Sequence, residues 1–315
     1  MTEATDQMET TDRIDQMGTT SSTNQTETTN LTDHMETNST DRTEETDRTD
    51  ATDPTQVCLL TPPETVPAWA ARTVERMLAE TDAEISLVVE NACADERSTG
   101  EAVRRLFDLR EWGVVAAALE LLGDDLPPLE RVPVRELDGV ADAEWITCEP
   151  NTVEGWKNAL PEFPVERMAE TDVGIRFGFG FLVGDALTAP EMGVLSFHHG
   201  NLREYRGQPM GFWEYVHGRE TAGVTVQRIN ETLDGGEIVA DRRVAIGDAP
   251  TWNAVRCRLY DASEEMLATA VRNLNADDFE PETLSEDELG DLYRLPKGRP
   301  VLTFLRRTTR GLLLG

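Results

Sequence analysis

Short, dense apolar blocks separated by polar stretches begin near Gln56 and recur to the C-terminus. QVCLLT reads as a buried strand, ended by the Pro-Pro of TPPETVP. In PAWAARTVERMLAET, Trp69, Val74, Met77 and Leu78 fall near one helical face, and EISLVVENA predicts a second strand. Strand, helix, strand predicts a parallel crossover. AVRRLFDLREWGVVAAALELLG is helical in pattern and is followed by a Pro-rich link. AEWITCEP predicts a short strand, PVERMAET a helix and DVGIRFGFGFL a single strand. Gly178 and Gly180 weaken that strand, which points to close approach of a ligand or another backbone, or to tight helix-sheet packing. GVLSFHHG predicts another buried strand, FWEYVHG a helix closed by Gly218, and TAGVTVQRI and EIVADRRVAI two further strands. TWNAVRCRLYDASEEMLATAVRNL places Trp252, Val255, Leu259, Met266, Ala270 and Leu274 on one face, predicting one amphipathic helix with Thr251 as its N-cap.

Residues 1–55 break the pattern. They are rich in Thr, Asp, Glu, Gln and Asn, with almost no large apolar residues, so they cannot bury enough surface to offset chain entropy. A disordered acidic Thr-rich tail is expected there, a solvated spacer with His34 incidental to it. The expected organisation is therefore 1–55 tail, 56–275 folded α/β domain and 276–315 C-terminal basic extension. The last of these, DLYRLPKGRPVLTFLRRTTRGLLLG, is expected to fold back onto acidic surface, the other reading being contact with a membrane or an anionic partner.

Charge narrows the function. The 315 residues carry 60 acidic against 29 basic side chains, a formal charge of −31. Phosphate backbones are repelled by such a surface, so no nucleic-acid partner is expected. The acidic coat suits a protein kept soluble in a high-salt cytoplasm. No apolar run approaches a membrane span and no signal peptide opens the chain, so a soluble cytoplasmic protein is expected. Cys58, Cys93, Cys148 and Cys257 form no CxxC, so neither metal site nor disulfide is indicated, and all four are expected to serve as small core hydrophobes. The first strand-helix turn lacks GxGxxG and GxxxxGK[ST], which disfavours a dinucleotide or nucleoside triphosphate.

Three of the four histidines lie in residues 193–220, and two of them, His198 and His199, are adjacent at a strand end. Asp234, in NETLDGGEIV, lies between two later strands. Ligands of open parallel sheets bind beyond the carboxyl ends of the strands. A carboxylate brought to an imidazole there makes a general acid/base pair, or a structural hydrogen bond.

The stretch from Gly193 to Val239 resembles the core of the folate-dependent formyltransferases, which include the methionyl-tRNA, glycinamide-ribonucleotide and amino-sugar enzymes. Gly193, His198, Leu202, the Tyr205-Arg206-Gly207 run, Trp213, Gly218, Gly223-Val224-Thr225, Asp234, Gly236 and Ile238 fall in register on that core. The resemblance covers about 56–275 and is weakest before 170. It implies an α/β fold of three layers, an open and mostly parallel sheet with helices on both faces. It implies transfer of a formyl group from 10-formyltetrahydrofolate to the amine of a small-molecule acceptor, an amino sugar or sugar nucleotide favoured. A formyltetrahydrofolate hydrolase, a glycinamide-ribonucleotide enzyme and a non-catalytic folate-binding relative are the alternatives; an interaction protein acting through its tail stands outside the family. Only about 70 residues follow the core, which with the acidic surface disfavours a tRNA acceptor. The oligomeric state is left open.

The resemblance also assigns residues. His198 takes the place of the family histidine, as oxyanion donor or proton carrier, and Asp234 that of the family aspartate, supporting His198. Gly180, Phe181, Leu182, Leu233 and Gly235 would line the pterin pocket, and Tyr205, Arg206 and Gly207 the acceptor side. Ser196 replaces the family asparagine. Either Ser196 acts through a water or His199, where the family has proline, supplies the missing donor.

Overall fold

The computed structural model describes residues 53–93, Gly113, Val115 and 126–314. The expected tail, up to residue 52, and nearly all of the helix expected over 102–123 lie outside the described residues, although Gly113 and Val115 are helical.

Seven strands form the central sheet: β1 (Thr55–Thr61), β2 (Ala83–Asn91), β3 (Glu144–Cys148), β4 (Val173–Arg176), β5 (Val194–His198), β6 (Thr221–Arg228) and β7 (Glu237–Ala245). Their order is β7-β6-β5-β4-β1-β2-β3. All neighbours from β5 across to β3 pair in parallel. β6 runs antiparallel to both of its neighbours, and the loop of residues 229–236 joins it to β7. The sheet is open and mostly parallel. The chain builds β1, β2 and β3 outward in one direction and then returns to the other side of β1 for β4. The β1/β4 junction is thus the switch point, where a crevice opens at the carboxyl ends of the strands.

Alternation along the strands creates two cores. Val57, Leu59, Ile175, Leu195, Val224 and Val226 face one side. There they meet α1 (Ala68–Glu80) and the later helices α4 (Trp252–Ser263) and α5 (Met266–Leu274). Cys58, Leu60, Leu87, Val89 and Val194 face the other side, with Met168 of α2 (Glu162–Met168). Helices therefore cover both faces. Buried on both sides, these strands read as continuous apolar runs.

Two elements differ from expectation. Residues 172–182 are not one strand: β4 stops at Arg176, and Phe181–Val183 joins a separate three-stranded sheet. The amides of Phe177 and Gly178 both reach Leu60 O, at 2.8 and 2.9 Å, so the chain curls over the end of β1. A Cβ on Gly178 would lie 2.4 Å from the Thr61 carbonyl carbon, so the close approach that requires this glycine is to backbone. The long amphipathic helix is likewise two helices. Thr73 Oγ1 donates to Ser263 O at 2.8 Å, taking the carbonyl that the next helical turn would use. Ser263 Oγ also donates to Leu259 O at 2.9 Å, a back-bond that bends helices. Thr251 caps α4 as expected, its hydroxyl accepting from Ala254 N at 3.1 Å.

Among the cysteines only Cys58 is fully buried; Cys93 is exposed and Cys148 and Cys257 are half-buried, so the expectation of four core thiols holds for one. The last residues join the globule. Asp291–Tyr293 pairs in parallel with Tyr205–Gly207. Helix α6 (Arg299–Leu314) buries Val301 and Phe304, and Phe304 meets the rings of Phe212 and Trp252. An apolar stripe, rather than its basic charge, seats this helix. Among the described residues, no helix is long and apolar enough to cross a membrane.

Candidate functional site

The polar residues of β4, β5 and β6 gather on one face, toward the carboxyl ends of β4 and β5. Ser196 and His198 alternate with Leu195 and Phe197 along β5, so both point away from the α1 side. Ser196 stands opposite Arg176 in β4 and Gln227 in β6, and His198 stands opposite Thr225.

His198 is buried, and both of its ring nitrogens meet oxygen. Nδ1 lies 3.4 Å from Asp234 Oδ1, and Nε2 lies 3.2 Å from Tyr205 O. The imidazolium satisfies both acceptors. Burial opposes the charge, but the Asp234 carboxylate, the Tyr205 carbonyl and Glu214 together outweigh it and hold the His198 pKa above the ordinary imidazole value. Burial likewise works to raise Asp234, yet His198 and the Gly207 amide, which donates to Oδ2 at 3.0 Å, bring it below the usual carboxylate range.

The loop that carries Asp234 is tightly specified. Asp234 adopts φ 50, a left-handed conformation that Asp tolerates better than most residues. Asn230 Nδ2 donates to Gly235 O at 2.9 Å, Asn230 Oδ1 accepts from Thr232 N at 2.8 Å, and Gln227 Oε1 accepts from Gly236 N at 3.1 Å. Gly207 has φ 91, and a Cβ there would lie 2.1 Å from Tyr293 O, so the strand that meets Asp234 needs glycine at this position.

Ser196 does not stand alone. Its hydroxyl accepts from Arg176 NH2 at 2.7 Å, while Arg176 NH1 donates to Gly180 O. Arg176 Nε is shielded and has no hydrogen-bond partner among the described residues. Burial pulls the guanidinium pKa down and the Asp234 charge opposes it.

His199 is not brought together with His198 and Asp234. One residue further along, it turns to the other side of the sheet. There its ring packs against Trp69, Phe197 and Tyr260, with Nε2 2.9 Å from Ser263 Oγ. Burial pushes its pKa down to about 3, and the neighbouring His198 charge adds to this. The ring is neutral and structural in this arrangement, and the missing-donor role expected for it has no geometric support.

The remaining expected residues divide. Gly180 is exposed at the turn after β4, and Leu233 is 41 % exposed at the turn before β7. Beyond the Phe181–Val183 strand, Gly184 N donates to Glu231 Oε1 at 3.3 Å. Gly235 packs against Thr232, and Phe181 is half-buried against Trp156. Leu182 is buried in the α2-side core, so its side chain packs rather than lines an opening. Tyr205 OH is engaged by His217 Nδ1 at 3.0 Å and Arg219 Nε at 2.8 Å, and Arg206 Nε donates to Gly290 O at 2.7 Å. Arg206 also lowers the Asp234 pKa by its charge.

Two residues escaped the sequence reading. Arg176 was hidden inside an apolar block; the signal available was a lone cation in an otherwise uncharged strand. Glu214, on α3 (Phe212–His217), is buried with Oε1 unpartnered among the described residues, and burial pushes its carboxyl up to about 7. It acts electrostatically on His198. A carboxyl raised on folding favours the fold while protonated: its contribution is full below the ordinary value near 4.5 and is lost as pH rises through about 7. Glu214→Gln cannot ionise, so its stability relative to the wild type should rise by roughly 2–3 kcal/mol between about pH 5 and about pH 8. Urea unfolding of both proteins at the two pH values checks this; a constant difference between them contradicts it.

Residues 163–271 match the family model described as formyl transferase, and every residue of the His198–Asp234 arrangement lies inside that span. The chain is 25% identical over 173 residues to the methionyl-tRNA formyltransferase of Bacillus mycoides (strain KBAB4), covering 51% of this chain and 55% of that protein. It is 26% identical over 164 residues to that of Bacillus thuringiensis (strain Al Hakam), covering 48% and 52%. The chain thus spans about half the length of the curated relatives it matches. Among solved structures, glycinamide ribonucleotide transformylase 1 from Symbiobacterium toebii aligns at 14% identity and a TM-score of 0.44, over 74% of this chain and 96% of that one. An N-formyltransferase from Helicobacter canadensis, in complex with folinic acid and dTDP-3-aminofucose, aligns at 11% identity and a TM-score of 0.46, over 83% and 81%.

Proposed function

We propose that this protein, whose residues 163–271 match the formyl transferase family model, moves a formyl group from 10-formyltetrahydrofolate to the amine of a small-molecule acceptor, an amino sugar or sugar nucleotide favoured. The observation that carries this reading is the buried pair of His198, at the carboxyl end of β5, and Asp234, in the β6–β7 loop, both inside the matched span. The net charge of −31 favours a small acceptor over tRNA, whose phosphates it repels. The same acidic coat suits a protein that works at high salt.

The donor would lie between the two turns that flank Arg176, where exposed Gly180 offers peptide edges and exposed Leu233 offers apolar surface. Bound there, it supplies an electrophilic formyl carbon; the acceptor nitrogen bonds to that carbon and the bond from carbon to the folate nitrogen breaks. The proton lost by the amine must end on the departing nitrogen. His198 is the group placed to carry it, and Asp234 fixes the ring's orientation and supports its charged form. Gly207 fixes Asp234 in turn.

The test is calorimetric binding of 5-formyltetrahydrofolate in high salt to the wild type and Asp234→Ala, followed by an amine screen led by amino sugars. Saturable binding weakened by the substitution, with formyl transfer to one amine, is the expected result. Release of formate without any amine would assign the hydrolase instead. A folded wild type that binds no 5-formyltetrahydrofolate would sink the donor assignment.

A further inference from the structure

We propose that Arg176 is the oxyanion donor of this site, with Ser196 as its positioning residue. The inference rests on the formyl-transfer reading above and deepens it at the position where the sequence departs from the family.

Ser196 stands where the family resemblance places an asparagine, whose amide can donate directly. A serine is shorter, and here its oxygen is already accepting from Arg176 NH2 at 2.7 Å. An arginine cannot accept, so the direction of that bond is fixed. Ser196 is therefore less a replacement donor than a socket for one. Opposite Arg176 in the sheet, it holds one end of the guanidinium while Gly180 O holds the other. These bonds use two of the five N–H groups that a guanidinium carries. Nε is shielded with no partner among the described residues, a costly state for a polar group unless something else is meant to occupy it.

Place and charge agree with the assignment. Arg176 ends β4, beside β1 at the switch point, and stands on the same face as His198. The side chain is half-buried, so it reaches the crevice without being freely hydrated. Fixed donors aimed at developing charge from a poorly hydrated site are worth far more than the same groups in water. Asp234 is near enough to interact with Arg176, so the cation is balanced in the resting site and available to a second anion during reaction. As the amine adds to the formyl carbon, the carbonyl oxygen gains the electron pair of its π bond. When the bond to the folate nitrogen breaks, that pair returns. Arg176 makes or breaks no covalent bond in this sequence.

Single-turnover transfer, thermal melting and 5-formyltetrahydrofolate affinity, measured on four variants, test the assignment. Arg176→Met should lose roughly 100- to 1,000-fold in rate while its melting and its 5-formyltetrahydrofolate affinity stay close to wild type. Ser196→Ala, which removes the acceptor but leaves the cation, should lower kcat by about tenfold with little change in KM. Ser196→Thr, which keeps the hydroxyl, should recover most of that loss. Ser196→Asn in the Arg176→Met background, which restores an amide donor, should regain at least part of the rate. Arg176→Met active within about threefold of an active wild type would overturn the role of Arg176 and leave the formyl-transfer reading standing. Loss of rate and of donor affinity in equal measure would also overturn it, since the interaction would then be made in the ground state. A wild type that neither binds 5-formyltetrahydrofolate nor transfers formyl would remove both readings.

Discussion

Replacing His198 with Ala is expected to lower formyl transfer roughly 100- to 10,000-fold, the usual worth of a positioned proton carrier, while binding of 5-formyltetrahydrofolate is largely retained. The expectation follows from geometry. The ring is held at both nitrogens, by Asp234 on one side and the Tyr205 carbonyl on the other, so it is oriented before any substrate arrives. Removing it takes away proton transfer without opening the donor side, where Gly180 and Leu233 lie. The pair also sets a pH signature. Burial works against the charged ring, and Asp234 with the Tyr205 carbonyl and Glu214 more than restores it, so the limb of the rate profile set by His198 lies above the ordinary imidazole value. Asp234→Asn removes the anion, and that limb should move to lower pH. A profile unchanged by the substitution, or a His198→Ala enzyme as fast as wild type, would refute the assignment of the proton carrier.

The largest effect on stability is expected at α6. Phe304→Ala should cost about 3–5 kcal/mol, the range for removing a fully buried aromatic side chain. Phe304 is 0 % exposed, with the rings of Phe212 and Trp252 at 5.6 and 6.3 Å and that of Tyr215 at 6.4 Å. Phe212 and Tyr215 belong to α3, the helix that also buries Glu214. Urea unfolding monitored by tryptophan fluorescence reads the loss; a midpoint shift too small for about 1 kcal/mol would mean that α6 is peripheral to the fold.

Much of this architecture is legible because a strand buried on both faces leaves a plain mark. QVCLLT, EISLVVENA, GVLSFHHG and TAGVTVQRI each correspond to a strand of the sheet. The Gly-rich loop of NETLDGGEIV brings Asp234 to His198, as their places in the chain suggested. What the pattern hides is long-range competition for backbone groups. The apolar stripe of α4 runs on in phase into α5, so nothing local announces that Thr73, on another helix, captures the Ser263 carbonyl between them. Similarly, nothing in FGFGFL says that two amides will turn to Leu60 and end β4 early. Arg176 was illegible for a related reason. A cation in an apolar strand declares its role only through the residue opposite it, and that residue lies twenty positions later. The adjacent histidines were half legible: the sequence marks both as unusual, and only the alternation of faces separates the ring that meets Asp234 from the one that packs on Trp69.

That alternation makes the alignment of β5 itself a functional part. His198 stands opposite Thr225, and an irregularity between Val226 and Gln227 interrupts the pairing of β6 with β7 just beyond. Slipping β5 by one residue would send every side chain to the other face. With His199 carried to the place of His198 before Asp234, His198 would take that of Phe197, against Trp69. Such a molecule would keep an imidazole in each environment and so resist detection by composition or by overall shape. It would differ in which peptide bonds hold the ring, and Ser196 would surrender its place beside Arg176 to an apolar neighbour. Misalignment of this kind would dismantle the arrangement proposed for the chemistry, because Ser196 would no longer face Arg176.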